Sequence, residues 1–259
     1  MSLINTVGLD VSIADRTICY GLTMAVDDGE CWGVMGANGA GKTTLLHTLA
    51  GLRPPTSGTV NLQGVDIHSL SRLQIARTLG LLPQDISDPF PATVLETALL
   101  GRHPFLKRWE WESDKDHCIA RQSLASVNLA TSAHRLIDTL SGGERRRVAI
   151  ATLLTQQPSV MLLDEPTNHL DPYYQIKMLS LLTDHVMTSR PDKHGALIMV
   201  IHDINLAARF CSHLLLLMPD GQVMTGSVAE LLSVDVLELM YGHPMVRIEN
   251  EHGLAFLPR

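Results

Sequence analysis

The stretch Gly36-Ala37-Asn38-Gly39-Ala40-Gly41-Lys42-Thr43 decides the fold of this chain. The apolar residues 31–35 before it predict a buried strand, and residues 43–52 predict a helix. A glycine-rich loop between a strand and a helix is typical of a phosphate-binding loop. Its backbone N–H groups can close around phosphate oxygens, and the helix N-terminus adds partial positive charge. The glycine spacing does not match G-x-G-x-x-G, which argues against a dinucleotide site.

This loop supplies the candidate phosphate ligands. We expect Lys42 to reach the β- and γ-phosphates of a nucleoside triphosphate, and the Thr43 hydroxyl to hold Mg²⁺. The alternative is a glycine-rich turn that binds nothing, and the placement between a strand and a helix disfavours it. The candidate nucleotide ligands are Gly36, Ala37, Asn38, Gly39, Ala40, Gly41, Lys42, Thr43 and Thr44.

A second candidate element is the apolar run of residues 161–163, which ends in two carboxylates. Asp164 suits a Mg²⁺ ligand, and Glu165 beside it suits a general base that polarises the attacking water. The alternative is an ordinary acidic strand cap. The phosphate loop disfavours that alternative because a triphosphate site needs both a phosphate cradle and a metal ligand.

The run Leu140-Ser141-Gly142-Gly143-Glu144 lies between these two elements. Ser141 and Glu144 fit a capping box for a helix over residues 143–156. The capping box does not explain Gly142 and Gly143, since glycine weakens a helix. Bare backbone at a helix N-terminus permits close approach of a phosphate, so Ser141, Gly142, Gly143 and Glu144 are candidate nucleotide contacts.

In this order and placement, the motifs resemble those of ABC-type ATPases over nearly the whole chain. In that family, the Leu-Ser-Gly-Gly-Glu run contacts the γ-phosphate held by another protomer, which implies a homodimer with ATP at its interface. The resemblance also implies that Gln84 senses and helps to hold Mg²⁺, that Asp171 lies at the dimer seam, and that His202 contacts the γ-phosphate. A lone glutamine or histidine is more often a loop or core residue. Gln84 and His202, however, follow predicted strands at the sheet edge where such folds bind ligands.

The resemblance leaves the nucleotide base less defined than the phosphates. The family usually stacks adenine on an aromatic residue of the early strands, and residues 11–13, which match that position, contain none. Tyr20 in the following strand is an open alternative. We therefore predict ATP and Mg²⁺ as the cofactors, with the phosphate chemistry as their basis.

Strand and helix patterns alternate along the chain and predict an α/β fold with a mainly parallel sheet. The resemblance names this fold as a P-loop NTPase (RecA-like) core with N-terminal antiparallel β-strands. Helical patterns dominate residues 88–157, which predicts a helical subdomain inserted in a single domain over residues 1–259. Later elements are a strand at 160–163, a helix at 172–188, a strand at 197–201, a helix from 204, and a hairpin at 214–225.

Composition narrows the possible partners. With 20 Lys+Arg against 27 Asp+Glu, the net charge of −7 argues against a nucleic-acid partner. The basic run of residues 145–147 is expected on a solvated or intersubunit helix face. The four cysteines form no C-x-x-C pair and suit a reducing cytosol. No signal-peptide pattern or bilayer-long apolar run is found, so other chains would have to supply any membrane path.

Three sequence patterns that are less specific than the nucleotide motifs, at residues 90–104, 228–232 and 239–242, resemble those of importer ATPases for chelated iron, haem or cobalamin. The resemblance implies integral membrane permease subunits, gripped through residues 84–105, an extracytoplasmic substrate-binding protein, and a peripheral location on the cytoplasmic face of the inner membrane. ATP binding would close the dimer and hydrolysis would reopen it. The alternatives are a soluble ABC ATPase in repair or translation, an exporter ATPase, and a P-loop kinase for small molecules.

Overall fold

Twelve strands and nine α-helices occur in the part of the computed structural model that describes residues 2–14, 16–85, 91–187, 195–250 and 253–259. The strands are β1 (Ile4–Ile13), β2 (Arg16–Val26), β3 (Cys31–Gly36), β4 (Ser57–Leu62), β5 (Val65–Asp66), β6 (Leu79–Leu82), β7 (Val160–Asp164), β8 (Ala196–Val200), β9 (His213–Leu217), β10 (Val223–Ser227), β11 (Met245–Asn250) and β12 (Gly253–Pro258). The α-helices are α1 (Lys42–Leu49), α2 (Arg72–Thr78), α3 (Val94–Leu99), α4 (Asp114–Ser126), α5 (Gly142–Gln156), α6 (Pro172–Met187), α7 (Ile204–Phe210), α8 (Val228–Leu231) and α9 (Val234–Tyr241).

The central sheet has the strand order β10-β9-β3-β8-β7-β6. All neighbours are parallel except β10, which returns antiparallel to β9 through the predicted hairpin. Every residue of β3, β7 and β8 is buried, as expected for strands covered on both faces. Alternate residues of β7 face opposite cores: Leu162 packs with the α1 side, and Leu163 packs with the α6 side.

A second sheet covers the α1 side of the central sheet. Its order is β2-β1-β4-β5, and all its pairs are antiparallel. Inward residues such as Ile4, Leu9 and Val60 pack in the same core as Leu45 and Leu49 of α1. The predicted antiparallel N-terminal strands are therefore confirmed.

Helices α3, α4 and α5, which follow β6 and precede β7 in the chain, pack against one another. Over the described residues 91–157 no strand forms, and the one β-contact is an isolated bridge between Thr93 and Leu136. Residues 88–90, where the predicted helical subdomain begins, lie outside the described residues. The subdomain boundaries, and the single domain over residues 1–259, stay predictions.

Several elements differ from the sequence-based expectation. The capped helix α2 and the β11–β12 hairpin were not predicted. Phe256 of β12 is buried, and its backbone exchanges two hydrogen bonds with the Asn205 side chain of α7. The predicted helix 172–188 is described up to Met187, and residue 188 lies outside the described part. No helix in the described ranges has both the length and the apolar character needed to cross a bilayer.

Candidate nucleotide-binding site

Four candidate segments meet at the carboxyl edge of the central sheet. The glycine loop follows β3, His202 follows β8, Glu165 follows β7, and Gln84 follows β6. These four strands are consecutive neighbours in the order β3-β8-β7-β6. The backbone register aligns Val34 with Val200, Val200 with Asp164, and Leu163 with Leu82. Open α/β sheets bind their ligands at this edge, so the sheet brings the predicted phosphate and catalytic residues to one place.

The glycine loop is closed on itself by Lys42. Its Nζ donates hydrogen bonds to the carbonyl oxygens of Gly36, at 2.9 Å, and Ala37, at 3.0 Å. Burial lowers the pKa of Lys42, and the negative charges of Glu165 and Asp164 oppose that shift. Gly41 caps α1 with a φ of 96°, a left-handed conformation that favours glycine. The ammonium group thus already lies inside the loop that would hold the phosphates.

Asp164 provides a buried carboxylate with open coordination. Its residue exposure is 0%, and neither carboxylate oxygen accepts a hydrogen bond from the described residues. The Thr43 hydroxyl lies close by without the geometry of a hydrogen bond. Burial raises the pKa of Asp164, and the Thr43 hydroxyl partly offsets that rise. An unsatisfied buried carboxylate is costly, and oxygen-preferring divalent cations supply the missing partner. Thr43 and Asp164 therefore fit a Mg²⁺ site.

Glu165 stands in a strained turn and is held by two side chains. Its φ of 49° is left-handed, which is uncommon for a residue other than glycine. Oε1 lies 2.7 Å from His202 Nε2, and Oε2 accepts a 2.5 Å hydrogen bond from Asn168 Nδ2. Burial acts to raise the pKa of Glu165, but the bonds from His202 and Asn168 outweigh it and leave the pKa below its ordinary value. The carboxylate is thus kept ionised, as a general base requires.

The contact between Asn168 and Glu165 was not predicted from the sequence. The three-residue separation between the two side chains was the available signal, because the Asn168 N–H also donates to the Glu165 carbonyl and closes a turn.

The expectation of a solvated or intersubunit face for the basic run 145–147 was wrong for Arg146, whereas Arg147 is shielded from solvent but lines the concavity described below. Arg146 is 1% exposed and Arg147 is 8% exposed. Arg147 donates to the Val127 carbonyl at 2.9 Å, and its guanidinium lies 4.2 Å from the centre of the Tyr174 ring. Backbone carbonyls and an aromatic face, rather than solvent, receive these two cations.

Residues of the Leu-Ser-Gly-Gly-Glu run form a separate concave surface at the N-terminus of α5. The predicted capping box is confirmed: Ser141 Oγ accepts from the Glu144 N–H, and the Glu144 carboxylate accepts from the Ser141 N–H at 2.9 Å. The hydrogen bonds from Ser141 lower the pKa of Glu144. The concavity has a volume of about 470 Å³, and it is lined by Ser141, Gly142, Gly143, Glu144, Arg147, His169, Leu170, Asp171 and Tyr174.

The candidate residues therefore fall into two groups on one chain. None of the residues that line this concavity belongs to the glycine loop of residues 36–44. Gln84 is at the sheet edge, but its exposed side chain makes no hydrogen bond to the Asp164 carboxylate. Tyr20, the open alternative for base stacking, is 50% exposed on β2.

Comparison with known proteins agrees with this geometry. The family model described as "ABC transporter" matches residues 19–168. The cobalamin import ATP-binding protein BtuD of Halobacterium salinarum is 38% identical over 92% of this chain, and the chain spans 58% of that protein's length. The ferric enterobactin transport ATP-binding protein FepC of Escherichia coli is 38% identical over 90% of this chain and 85% of its own length.

Solved structures support the same assignment. A chain of an ABC transporter assigned to the metal-chelate type, in an inward-facing conformation, superposes with a TM-score of 0.85 at 26% identity. The match covers 100% of this chain and 98% of the other. The fold, the order of the motifs and the family match agree: this chain belongs to the ABC transporter family.

Proposed function

We propose that this chain is the ATP-hydrolysing subunit of a membrane ABC importer for a chelated metal or a related cofactor. The observation that carries the hydrolytic part is the pairing of Asp164 and Glu165 at the end of β7. Asp164 is a buried carboxylate without a partner among the described residues, and Glu165 is an ionised carboxylate held by two neighbours. Asp164 is suited to coordinate a metal ion, and Glu165 is suited to accept a proton from a water molecule.

The chain's own groups divide the work of phosphoryl transfer. Lys42 exchanges its bonds to Gly36 and Ala37 for phosphate oxygens, and the loop N–H groups hold the β-phosphate. Thr43 and Asp164, with Gln84, would hold Mg²⁺, which neutralises charge on the phosphate oxygens when bound. Glu165 takes a proton from the attacking water, and His202 fixes the direction of the carboxylate and faces the γ-phosphate.

The two separate groups of candidate residues support a homodimer with ATP at the interface. The concavity of Ser141, Gly142, Gly143, Glu144 and Asp171 includes no residue of the glycine loop. An exposed helix N-terminus with two glycines attracts phosphate groups. Because the glycine loop of the same chain does not line the concavity, that phosphate would be bound to the glycine loop of another copy. Two copies that face each other would each offer this concavity to the other's nucleotide.

The remaining partners follow from the relatives. Two proteins at 38% identity are named as a cobalamin import ATP-binding protein and a ferric enterobactin transport ATP-binding protein. We extend this role to the present chain: integral permease subunits bound through residues 84–105, an extracytoplasmic binding protein in the complex, and a peripheral location on the cytoplasmic face of the membrane. Within residues 84–105, residues 86–90 lie outside the described part.

The proposal is tested by purification of the tagged chain from gently solubilised membranes of its native host. We expect a polytopic membrane protein to co-purify. The matched control is Lys42→Ala, which should lose ATP turnover but keep the membrane partner, because Lys42 lies inside the phosphate loop. Recovery of only soluble partners, such as ribosomes or repair proteins, would contradict the importer role and leave the nucleotide chemistry standing. GTP turnover equal to ATP turnover would contradict the choice of nucleotide.

A further inference from the structure

Arg146 of α5 is enclosed by backbone carbonyl groups from two other segments. Its guanidinium donates to Pro83 O at 2.6 Å and Gln84 O at 3.2 Å, after β6. It also donates to the carbonyls of three consecutive residues at the end of β7, namely Asp164 at 2.5 Å, Glu165 at 2.7 Å and Pro166 at 3.3 Å. These five contacts match the five N–H donors of an arginine.

We infer that Arg146 is a positioning residue that locks the Glu165 turn to the Gln84 segment and to helix α5. This inference rests on the proposed hydrolytic function. None of the sequence motifs described above points to this role. The hydrogen-bond acceptors of Arg146 are main-chain oxygens, which any residue type can supply.

The charge of Arg146 makes the arrangement specific. The side chain is 1% exposed, and it forms no ion pair with a carboxylate among the described residues. Burial lowers its pKa to about 10, with the charges of Asp164, Glu165 and Asp85 opposing the shift, so the group stays a cation at neutral pH. A buried cation that lacks an ion pair needs all its hydrogen bonds satisfied. The five carbonyls must therefore keep their positions around it.

The turn that Arg146 holds carries the proposed base. Glu165 has a left-handed φ of 49°, a conformation that persists only where the surroundings enforce it. His202 and Asn168 restrain the carboxylate, whereas Arg146 restrains the main chain on both sides of it. Loss of the guanidinium would free the peptide groups that fix where the carboxylate points.

Arg146 also connects this turn to the two segments that meet other molecules in the proposed complex. Its helix α5 begins at Gly142, next to the concavity proposed for the partner's nucleotide. The Gln84 segment enters the helical insertion proposed to face the permease. A displacement of either segment changes the positions of the carbonyl acceptors around Arg146. Because Arg146 also bonds to the Glu165 turn, the main chain of that turn must shift as well.

The test compares the steady-state ATPase kinetics of Arg146→Gln and Arg146→Lys with those of the wild type. We expect R146Q to lower kcat by about 10²-fold, the scale of a misplacement by about 1 Å in an active site. KM for ATP should change less than kcat, because none of the five hydrogen bonds of Arg146 reaches the glycine loop. R146K keeps the charge without the planar fork and should fall between the wild type and R146Q.

Two controls separate positioning from unfolding. Leu182→Ala removes a fully buried side chain of α6 outside the site, and it should lower stability while kcat per folded molecule stays near that of the wild type. R146Q in a Glu165→Gln background should bind ATP without Mg²⁺ as tightly as Glu165→Gln alone, because Arg146 makes no hydrogen bond to the glycine loop that would hold the phosphates. If R146Q fails to fold, R146K provides the test. Its kcat must then be lower than that of the wild type, with a smaller change in its KM for ATP.

The results that overturn the inference differ from those that overturn the proposed function. If the wild type hydrolyses ATP and R146Q and R146K have the same kcat as the wild type, the role of Arg146 is contradicted and the proposed function is not. A kcat loss fully explained by the unfolded fraction, as calibrated with L182A, contradicts that role too. A wild-type protein that binds ATP without hydrolysing it contradicts the proposed function itself.

Discussion

Replacement of Glu165 by glutamine isolates the charge of the proposed base from its shape. In the wild type, both carboxylate oxygens accept: Oε1 faces His202 Nε2 at 2.7 Å, and Oε2 faces Asn168 Nδ2 at 2.5 Å. Glutamine keeps one acceptor oxygen and replaces the other with a donor. Either a tautomer change at His202 or an amide flip at Asn168 restores a complementary pair. The variant is therefore expected to keep the site's geometry.

The two expected magnitudes differ greatly. A hydrogen bond to a charged group contributes about 1.5–3 kcal/mol and a neutral bond about 1 kcal/mol, so the loss of charge at two bonds costs about 1–4 kcal/mol of unfolding free energy. Because both bonds are partly exposed, we expect a value near the lower end of this range. Loss of a general base costs about 10²- to 10⁴-fold in kcat. We expect Glu165→Gln to fold, to bind ATP, and to accumulate as an ATP-bound dimer.

The same variant carries a signature in pH. The pKa of Glu165 in the folded protein is below its ordinary value of 4.5. Its ionised form thus stabilises the fold above about that pH, and this contribution is lost as pH falls through the folded pKa. The stability difference between the wild type and E165Q should shrink below pH 4.5. Urea unfolding at several pH values, with ATPase assays and light scattering, measures all three quantities. Turnover within about tenfold of wild type, or a strictly monomeric variant with ATP, would refute the assignment of the base.

Three further changes test the packing around the site. Gly143→Ala should lower the unfolding free energy by about 1–3 kcal/mol in urea titrations, because its Cβ would lie 2.9 Å from the His169 carbonyl oxygen. Leu182→Ala should lower it by about 2–5 kcal/mol, since the side chain is fully buried. Asp116, whose pKa is lowered to about 2 chiefly by the Ser113 hydroxyl, should stabilise the fold above pH 3.8 and progressively less toward pH 2. Asp116→Asn should lack that pH dependence in acid unfolding.

Two of these changes have a matched control variant. Gly142→Ala makes the same substitution one residue earlier, where the nearest atom to the Cβ is the His169 Cβ at an ordinary 3.7 Å, so its stability should match or exceed that of the wild type. Equal losses at both glycines would argue against the close approach of the His169 backbone. Leu239→Ala, at a side chain 67% exposed, should change the unfolding free energy by less than about 0.5 kcal/mol. An unchanged acid transition in D116N would show that Asp116 is not a stabilising charge.

The sequence predicts those features that depend on neighbours in the chain. The strand predicted over residues 160–163 forms and is one residue longer, and the capping box at Ser141 forms as expected. The glycine loop lies between a buried strand and a helix, because backbone hydrogen bonding and local periodicity already fix that context. The order of the motifs then places four of them at one sheet edge.

Features that depend on distant carbonyl groups could not be predicted in this way. Arg146 reads as a solvated cation because its acceptors lie 18 to 63 positions away in the chain. The β11–β12 hairpin was missed for a similar reason. Its exposed charges at Arg247 and Glu249 conceal a strand pattern, and its buried Phe256 is recognisable only where it packs near α7.

The position of β6 at the rim of the central sheet has a mechanical consequence. Strand β3, which leads into the glycine loop, is hydrogen-bonded on both sides, whereas the four-residue β6 pairs, among the described strands, with β7 alone. The free energy needed for local opening should accordingly be lowest at the strand that leads to Gln84 and highest at the strand below the phosphates. Amide hydrogen exchange would rank these strands. An ATPase with this sheet can deform where β6 connects to the inserted helices and stay rigid where β3 leads into the nucleotide-binding loop.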